Sequence, residues 1–254
     1  MSSRWYINLS VLVLCFLSSC SVKEDRTQCP CRLHLSCDEL LISPELDLTL
    51  IAESYLAKET LRFDERKKML MVPRCELQVI AMLGGYGAKV YNGLYNIDLG
   101  KQADSLYCSS LSCDCNQDDA YAVVGAKKQF ATVYLHLMTG AASSPVRRII
   151  VEGEVNGFDI SGMSPTKGAF RCELAPDDFN SCSFRVPRQL DGSLRIIMID
   201  SMGRESQFDA GVRIMESGYD WGKGDLSDIL LDVDCVELET GIVINDWKVV
   251  EIAA

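Results

Sequence analysis

Histidine is almost absent from this 254-residue chain, which contains only His34 and His136. Ser-His-Asp and Cys-His catalytic arrangements therefore have few possible members. Phosphate-binding loops are missing as well: in the stretch Gly218–Gly224 only three residues separate the first two glycines, and a glycine follows Lys223 where the motif requires serine or threonine. The acidic residues near this stretch do not match a calcium-binding loop. These absences predict a protein that is not an enzyme and needs no cofactor.

The amino terminus lacks the roughly 20 apolar residues that a membrane-spanning helix requires. Arg4 precedes an uncharged run from Trp5 to Leu17, which is the length and charge pattern of a secretory signal peptide. The run ends in Leu-Ser-Ser-Cys, which resembles the bacterial lipobox. We predict cleavage between Ser19 and Cys20, followed by acylation of the Cys20 thiol, because a thiolate is the reactive nucleophile. An uncleaved anchor helix and an ordinary signal peptide are the alternatives.

Positive charge is also scarce, since 25 Lys and Arg stand against 36 Asp and Glu, for a net charge of -11. Such a field repels nucleic acid and anionic headgroups, so we predict no nucleic-acid partner and attachment to the membrane through lipid. Two or more acyl chains hold a protein firmly. Ser21 replaces the aspartate associated with inner-membrane retention, and residues 23–25, Lys-Glu-Asp, look like the export tag of surface lipoproteins. The expected location is the outer membrane, with the lipid as anchor.

No segment shows a long helical stripe, whereas apolar and polar residues alternate with period two in many short segments. The pattern runs through residues 31–37 and 46–50. It recurs in ELQVIAMLGG, TVYLHLM, RRIIVEGEV, SLRIIMID and ILLDVDCVEL. In the last segment Ile229, Leu231, Val233 and Cys235 would form the inner face, with a slip of the alternation, as at a bulge, from Val236 to Leu238. The pair Met202-Gly203 predicts a hairpin. Regularly spaced short strands indicate an all-β sandwich or barrel.

Cysteine is abundant, with twelve residues, of which Cys15 and Cys20 belong to the leader and the lipid site. The remaining ten do not have the spacing of a small disulfide-stapled domain. Most are expected to be buried free thiols, and one or two disulfide bridges remain open. In a strand, Cys31 and Cys37 would lie on one face and His34 on the other, so these residues predict no zinc site.

A short repeated sequence indicates tandem domains. Val-Pro-Arg occurs at 72–74 and again at 186–188, each time shortly before a strongly apolar strand, and proline favours the start of a strand. The polar stretch 113–128 is the expected seam. The predicted divisions are a signal peptide at 1–19, a lipid-tethered linker at 20–30, an N-terminal sandwich at 31–126 and a C-terminal sandwich at 127–254.

The lipobox followed by KEDRTQCPCRLHL, together with GYDWGKGDLSDILLDVD and the ending GIVINDWKVVEI, resembles the FimB-like fimbrial anchor subunits, a family of fimbrillin-related lipoproteins of anaerobic Gram-negative bacteria. The resemblance implies two transthyretin-like β-sandwiches in tandem and a role in tethering the base of a fimbrium to the outer membrane, with fimbrial subunits as partners. In related stalk subunits an arginine-specific protease removes the first strand. Here Arg32 begins that strand, and the next arginines, Arg62 and Arg66, follow its end. A chain that keeps its first strand fits an anchor.

The C-terminal strand, residues 242–252, either completes its own domain or is offered to a partner through strand exchange. Ile244, Trp247 and Trp221 are the candidate interface residues, with a core position for Trp247 as the alternative. A surface glycan- or peptide-binding lipoprotein is the second functional hypothesis. It would need an exposed aromatic platform, for which the candidates are Tyr86, Tyr91, Tyr95 and Trp221.

Overall fold

The computed structural model describes residues 29–37, 45–62, 66–85, 89–91, 93–139, 146–238 and 241–252. The predicted lipid site, with Ser19 and Cys20, lies outside these ranges. The strands are β1 (Cys31–Ser36), β2 (Glu45–Ala52), β3 (Tyr55–Arg62), β4 (Lys67–Val72), β5 (Glu76–Leu83), β6 (Lys89–Tyr91), β7 (Leu94–Asn96), β8 (Tyr107–Asp114), β9 (Asp119–Val123), β10 (Lys127–Lys128), β11 (Phe130–Thr139), β12 (Val146–Asp159), β13 (Ser164–Leu174), β14 (Ser181–Pro187), β15 (Arg195–Asp200), β16 (Glu205–Phe208), β17 (Asp228–Leu238) and β18 (Gly241–Ile252). A seven-residue helix, α1 (Ala210–Glu216), is the single α-helix in these ranges. The predicted all-β class is confirmed.

The N-terminal sandwich packs a three-stranded sheet, in the order β4-β1-β9, against a five-stranded sheet, in the order β10-β8-β5-β2-β3. Alternation in the sequence produces this packing, because successive side chains of a strand point to opposite faces. On β2, for example, Leu46, Leu48 and Leu50 are buried, as the period-two pattern predicts. The core that the two sheets enclose contains thirteen aliphatic and alanine side chains and four cysteines.

The C-terminal sandwich repeats this plan with a four-stranded sheet, β14-β11-β17-β18, and a larger sheet, β16-β15-β12-β7-β6, in which β13 also pairs with β12. Val133, Leu135 and Leu137 of β11 are buried. The predicted inner face of β17 is confirmed as well, since its four apolar residues are all within the core. The register slips between Asp234 and Cys235, close to the predicted position of the bulge. The expected hairpin at Met202-Gly203 is the antiparallel β15–β16 pair, and Gly203 takes a left-handed φ of 82°.

Strands from each side of the predicted boundary at residues 126/127 pair with the sheet of the other sandwich. β6 and β7 belong to the predicted N-terminal domain by number, yet β7 pairs with β12 of the C-terminal sheet. Conversely, β10 belongs by number to the predicted C-terminal domain but pairs with β8 of the N-terminal sandwich. β5 is buried on both faces: Val79 packs in the N-terminal core, and Ile80 packs in the C-terminal core. Within the ranges that the structure describes, no helix is long and apolar enough to cross a bilayer.

Candidate functional site

β1, the first strand that the structure describes, occupies the centre of the three-stranded sheet. β1 pairs antiparallel with β4, where Leu33 is opposite Leu70, and parallel with β9, where Leu33 is opposite Ala120. Its inner side chains, Cys31, Leu33 and Leu35, are at most 1% exposed. A β-strand with partners on both sides leaves no groove at its own position for a strand from another chain. The N-terminal sandwich is therefore complete without a donated strand.

The second sandwich has the same arrangement around its own first strand. β11 pairs antiparallel with β14 and parallel with β17, just as β1 pairs with β4 and β9. The two Val-Pro-Arg sequences lie at equivalent places in this repeat, at the ends of β4 and β14. Their prolines thus mark the end of an outer strand rather than the start of the following one, which corrects the predicted position. A sheet edge tolerates proline because no further strand needs its missing N–H.

Arg74, the arginine of the first repeat, joins the segments that flank β1 and β9. Its Nε donates to the carbonyl oxygen of Cys29 at 2.8 Å, and its Nη1 donates to the carbonyl oxygen of Asn116, also at 2.8 Å. Its third contact is an ion pair with Asp118. One guanidinium therefore connects the residue ahead of β1 with the loop ahead of β9. A planar group with five donors suits such a role better than an ammonium.

Arg188, the arginine of the second repeat, makes the equivalent connection in a more buried setting. Its Nε donates to Gln129 Oε1 at 2.9 Å, just ahead of β11, and its terminal nitrogens donate to the carbonyl oxygens of Trp221 and Gly224, ahead of β17. Arg188 is 7% exposed, and this burial lowers the pKa of the guanidinium. The repeated Val-Pro-Arg is visible in the sequence, but the role of its arginines is not, because the oxygen atoms that accept their hydrogen bonds lie in segments distant along the chain.

Trp221, one of the three candidate interface residues, is 8% exposed and packs edge-to-face on Tyr219 with ring centroids 4.7 Å apart. The Tyr219 hydroxyl donates to the carbonyl oxygen of Ser227 at 2.6 Å. The loop GYDWGKGD therefore places its two aromatic rings in the core of the second sandwich, while its other residues are exposed. The position of Trp221 corrects its assignment to an exposed surface or interface.

The C-terminal strand β18 completes its own domain by pairing antiparallel with β17 from end to end. Trp247 is opposite Val233, and Ile244 is opposite Cys235. The side chains of these two candidate interface residues lie outside the described structure. In the part of the sheet that is described, β18 is an outer strand with β17 on one side only. No described strand forms a backbone ladder with its other edge, although β16 of the facing sheet lies near part of β18.

An exposed aromatic stack lies on the outer face of the β4-β1-β9 sheet. The rings of His34 and Tyr121 are 4.7 Å apart and inclined by 13°, and Tyr121 is 76% exposed. Asp119 accepts hydrogen bonds from His34 Nε2 at 2.9 Å and from Arg32 at 2.6 Å. These contacts lower the pKa of the Asp119 carboxyl, with His34 as the largest cause. Met69, Met71 and Val123 surround the stack, and each is more than half exposed.

The aromatic platform expected for a glycan-binding protein is not the one that the structure presents. Tyr95 is 2% exposed and presents no ring face to solvent, and Trp221 is also buried. Tyr86 and the side chain of Tyr91 lie outside the described residues. Tyr121, which the sequence did not single out, is the most exposed tyrosine side chain among the described residues.

The ten described cysteines are free thiols, and seven of them are buried. Burial raises the pKa of Cys108 and of Cys172 to about 12, so both are protonated and unreactive at neutral pH. Cys31 and Cys37 are buried while His34 lies on the opposite face, as predicted for a strand. Among the described residues no group of three or more His, Cys, Asp or Glu side chains has the geometry of a metal site.

Comparison with known proteins identifies the fold. No protein-family model and no curated protein sequence matches this chain. Among solved structures, a proposed adhesin from Bacteroides ovatus is 13% identical with a TM-score of 0.62, covering 89% of this chain and 95% of that one. A proposed polysaccharide-binding protein from Bacteroides thetaiotaomicron is 11% identical with a TM-score of 0.62, covering 87% and 98%. The fimbrial anchor protein Mfa2 from Porphyromonas gingivalis is 10% identical with a TM-score of 0.59, covering 89% and 100%. This chain shares their fold.

The shared fold agrees with the resemblance that the end motifs indicate, and it covers 87–89% of this chain and 95–100% of those three chains. At 10–13% identity between sequences, a common fold is compatible with different partners and ligands. Function must therefore be argued from the surfaces described above.

Proposed function

We propose that this chain is an outer-membrane lipoprotein that anchors or caps the base of a fimbrium through β-strand contacts with pilus subunits. The observation that carries the proposal is the filled first-strand position, where β1 lies between β4 and β9. A subunit that is complete in itself neither needs nor accepts a donated strand at that position, so it ends a series of strand exchanges rather than continuing it.

The short distance from the lipid site to the first strand supports the anchoring part of the proposal. Residues 20–30 would form the tether, and eleven residues span at most about 40 Å when fully extended. Acylation of Cys20 would thus hold the N-terminal sandwich close to the membrane surface. The net charge of -11 would not draw the protein to anionic lipid by itself, so the acyl chains supply the attachment.

The edge of β18 that has no hydrogen-bonded neighbour among the described strands is the proposed docking site for a subunit. A strand with one unoccupied edge presents a row of backbone donors and acceptors that another strand can pair with. β18 has twelve residues, which is long enough for a full strand pairing. Ile244 and Trp247 remain the candidate interface residues on it, and Trp221 is withdrawn from that set because it is buried.

The test uses the full chain with a C-terminal affinity tag, expressed in a fimbriated Gram-negative anaerobe. Cys20→Ser should release the protein from the membrane fraction or leave its leader uncleaved. Cys29→Ser, which makes the same change nine residues on in an exposed position, is the matched control and should stay in the membrane. Detergent extraction and affinity purification of the wild type should recover pilus subunits. Unchanged membrane retention of Cys20→Ser would refute lipid anchoring, and absence of pilus subunits would refute the fimbrial role.

A second function, glycan binding at the cell surface, is favoured by the exposed Tyr121–His34 stack. A flat aromatic face next to charged hydrogen-bonding groups is a suitable support for a sugar ring. Tyr121→Ala should abolish binding on a glycan array, and Tyr134→Ala is the control because Tyr134 is 43% exposed on the other sandwich. Binding that is equal in both variants, or undetectable in the wild type, would eliminate this alternative.

A further inference from the structure

A cleft of about 520 Å³ lies on the second sandwich, where the β12–β13 turn, the β14–β15 loop, α1 and the loop after α1 meet. Its lining is mainly apolar and aromatic, and it includes Met163, Pro165, Leu190, Met215, Tyr219 and Trp221. Leu190 and Met215 are 49% and 46% exposed, so apolar side chains surround the mouth of the cleft. None of the residues that line it belongs to β18 or to the Tyr121–His34 stack. The cleft is therefore separate from both of those surfaces.

Two buried polar groups at this cleft have no hydrogen-bond partner among the described residues. They are the Nε1–H of Trp221, which is a donor, and the Oε1 of Gln189, which is an acceptor. Both residues line the cleft, and both are more than nine-tenths buried. The Gln189 amide is fixed, because its Nε2 donates to the carbonyl oxygen of Pro187 at 2.7 Å. A buried polar group without a partner costs free energy, so native proteins retain few of them. A pre-positioned donor and acceptor thus stand beside an apolar cleft.

The charges that line the cleft favour a neutral occupant. Arg188 and Asp220 are the charged residues of the lining, and they have opposite signs. The Nε and both terminal nitrogens of Arg188 already donate to oxygen atoms of the protein. Asp220 Oδ1 accepts from the N–H of Gly222 at 2.8 Å, so this carboxylate is engaged in its own turn. Because the lining has no net charge and its guanidinium is committed, a phosphate or an acidic sugar would find no free cation here.

The unpaired polar groups select the kind of neutral occupant. A peptide bond presents one carbonyl oxygen and one N–H, which are the partners that Trp221 Nε1–H and Gln189 Oε1 lack. A sugar ring presents several hydroxyls, and most of them would find no partner at an apolar wall. An apolar side chain gains free energy from contact with that wall. Met163 and Met215 have flexible, polarisable side chains that adapt to different shapes. A peptide that carries an apolar residue therefore fits this cleft.

We propose that the cleft binds a neutral peptide segment of another protein. A main-chain carbonyl oxygen of the segment accepts from Trp221 Nε1–H, and a main-chain N–H donates to Gln189 Oε1. An apolar side chain of the segment packs against Met163, Leu190 and Met215. Both polar atoms of the protein are covered, so the half-exposed side chains of Leu190 and Met215 move aside as the segment enters. This binding site goes beyond the fimbrial role and does not depend on it.

Nuclear magnetic resonance of the full chain, purified with isotope-labelled tryptophan, tests the proposal. The probe is N-acetyl-leucine N-methylamide, which carries one leucine side chain between two secondary amides. Its addition should move the indole N–H proton signal of Trp221, identified by its loss in Trp221→Phe, downfield, because that proton gains a hydrogen bond. In Met215→Ala the probe should bind about tenfold more weakly, because apolar contact is lost. Val212→Ala, on the same helix and 42% exposed but outside the cleft, is the matched control and should bind as the wild type does.

Two further probes separate the contacts. N-acetyl-N-methyl-leucine dimethylamide keeps both carbonyl oxygens but has no N–H, so it should bind about tenfold more weakly than the first probe. N-acetylglucosamine places an acetamide on a sugar ring and should bind more weakly still. Equal affinity of the first probe for Met215→Ala and Val212→Ala would overturn the proposal. So would tighter binding of the sugar, or a Trp221 signal that does not move at the solubility limit of the first probe. These outcomes leave the fimbrial role untouched, since recovery of pilus subunits decides that role.

Discussion

Arg74 is predicted to control the stability of the first strand. Arg74→Met keeps most of the apolar stem but removes the three contacts to Cys29, Asn116 and Asp118. The bonds to the two carbonyl oxygens should contribute about 1 kcal/mol each. The ion pair contributes at most about 1 kcal/mol, because the Asp118 side chain is 47% exposed and screened by solvent. The expected loss is therefore about 2–3 kcal/mol.

Hydrogen exchange measures this loss where it occurs. A change of 2–3 kcal/mol raises the population of the open form by about 30- to 140-fold, at about 1.4 kcal/mol per factor of ten. The amides of β1 and β9 should therefore exchange faster by that factor, while those of β15 and β17 in the second sandwich keep their rates.

Arg32→Met is the matched control, since Arg32 lies at the start of β1 but is 52% exposed and pairs only with Asp119 among the contacts described. A surface pair of this kind contributes at most about 1 kcal/mol, so exchange in β1 should rise by no more than about fivefold. Equal exchange of β1 in the Arg74→Met and Arg32→Met variants would refute the argument that Arg74 holds the first strand.

Three further predictions concern the same fold. Gly84→Ala should destabilise the protein by more than about 2 kcal/mol, because a β-carbon there would lie 1.8 Å from the carbonyl oxygen of Ser105 and the backbone has a φ of +78°. Gly100→Ala is the control: its φ is +87° but its surroundings are open, so thermal denaturation should show a loss of only about 1 kcal/mol. The carboxyl of Asp119 has a lowered pKa, so its stabilising contribution is complete above the ordinary pKa of 3.8 and is lost as the pH falls through the lowered pKa. In His34→Ala the pKa of Asp119, followed by NMR, should move back toward 3.8, and an unchanged pKa would contradict the role of His34. Arg188→Met should lower stability by about 3–5 kcal/mol in urea denaturation, more than Arg74→Met, because it leaves three acceptors unpaired in a more buried place; a smaller loss than for Arg74→Met would count against that reasoning.

The period-two pattern identified the buried faces of several strands but did not show which strands pair with each other. The alternation in β2, β11 and β17 correctly indicated which side chains are buried, because a half-buried strand must place one face in the core. The same reasoning did not place β6 and β7 beside β12, since pairing between distant segments depends on backbone hydrogen bonds that leave no mark in either sequence.

Individual site residues show the same division. Trp221 has the size and amphipathic character of an interface residue, and only the packing on Tyr219 shows that it belongs to the core. Tyr121 is a single aromatic residue that follows a polar loop, and no sequence pattern marks it as a binding residue. It became a candidate when the parallel pairing of β9 with β1 placed it against His34.

By itself, the sequence determined the all-β class, the inner faces of the strands and the repeated Val-Pro-Arg signature, because each depends on residues close together in the chain. Only the tertiary structure decided that the first described strand is held on both sides and that each repeated arginine joins the segments ahead of two neighbouring strands. These features depend on contacts between residues more than 30 positions apart in the chain. The free energy of such contacts comes from burial and geometry that no local pattern encodes.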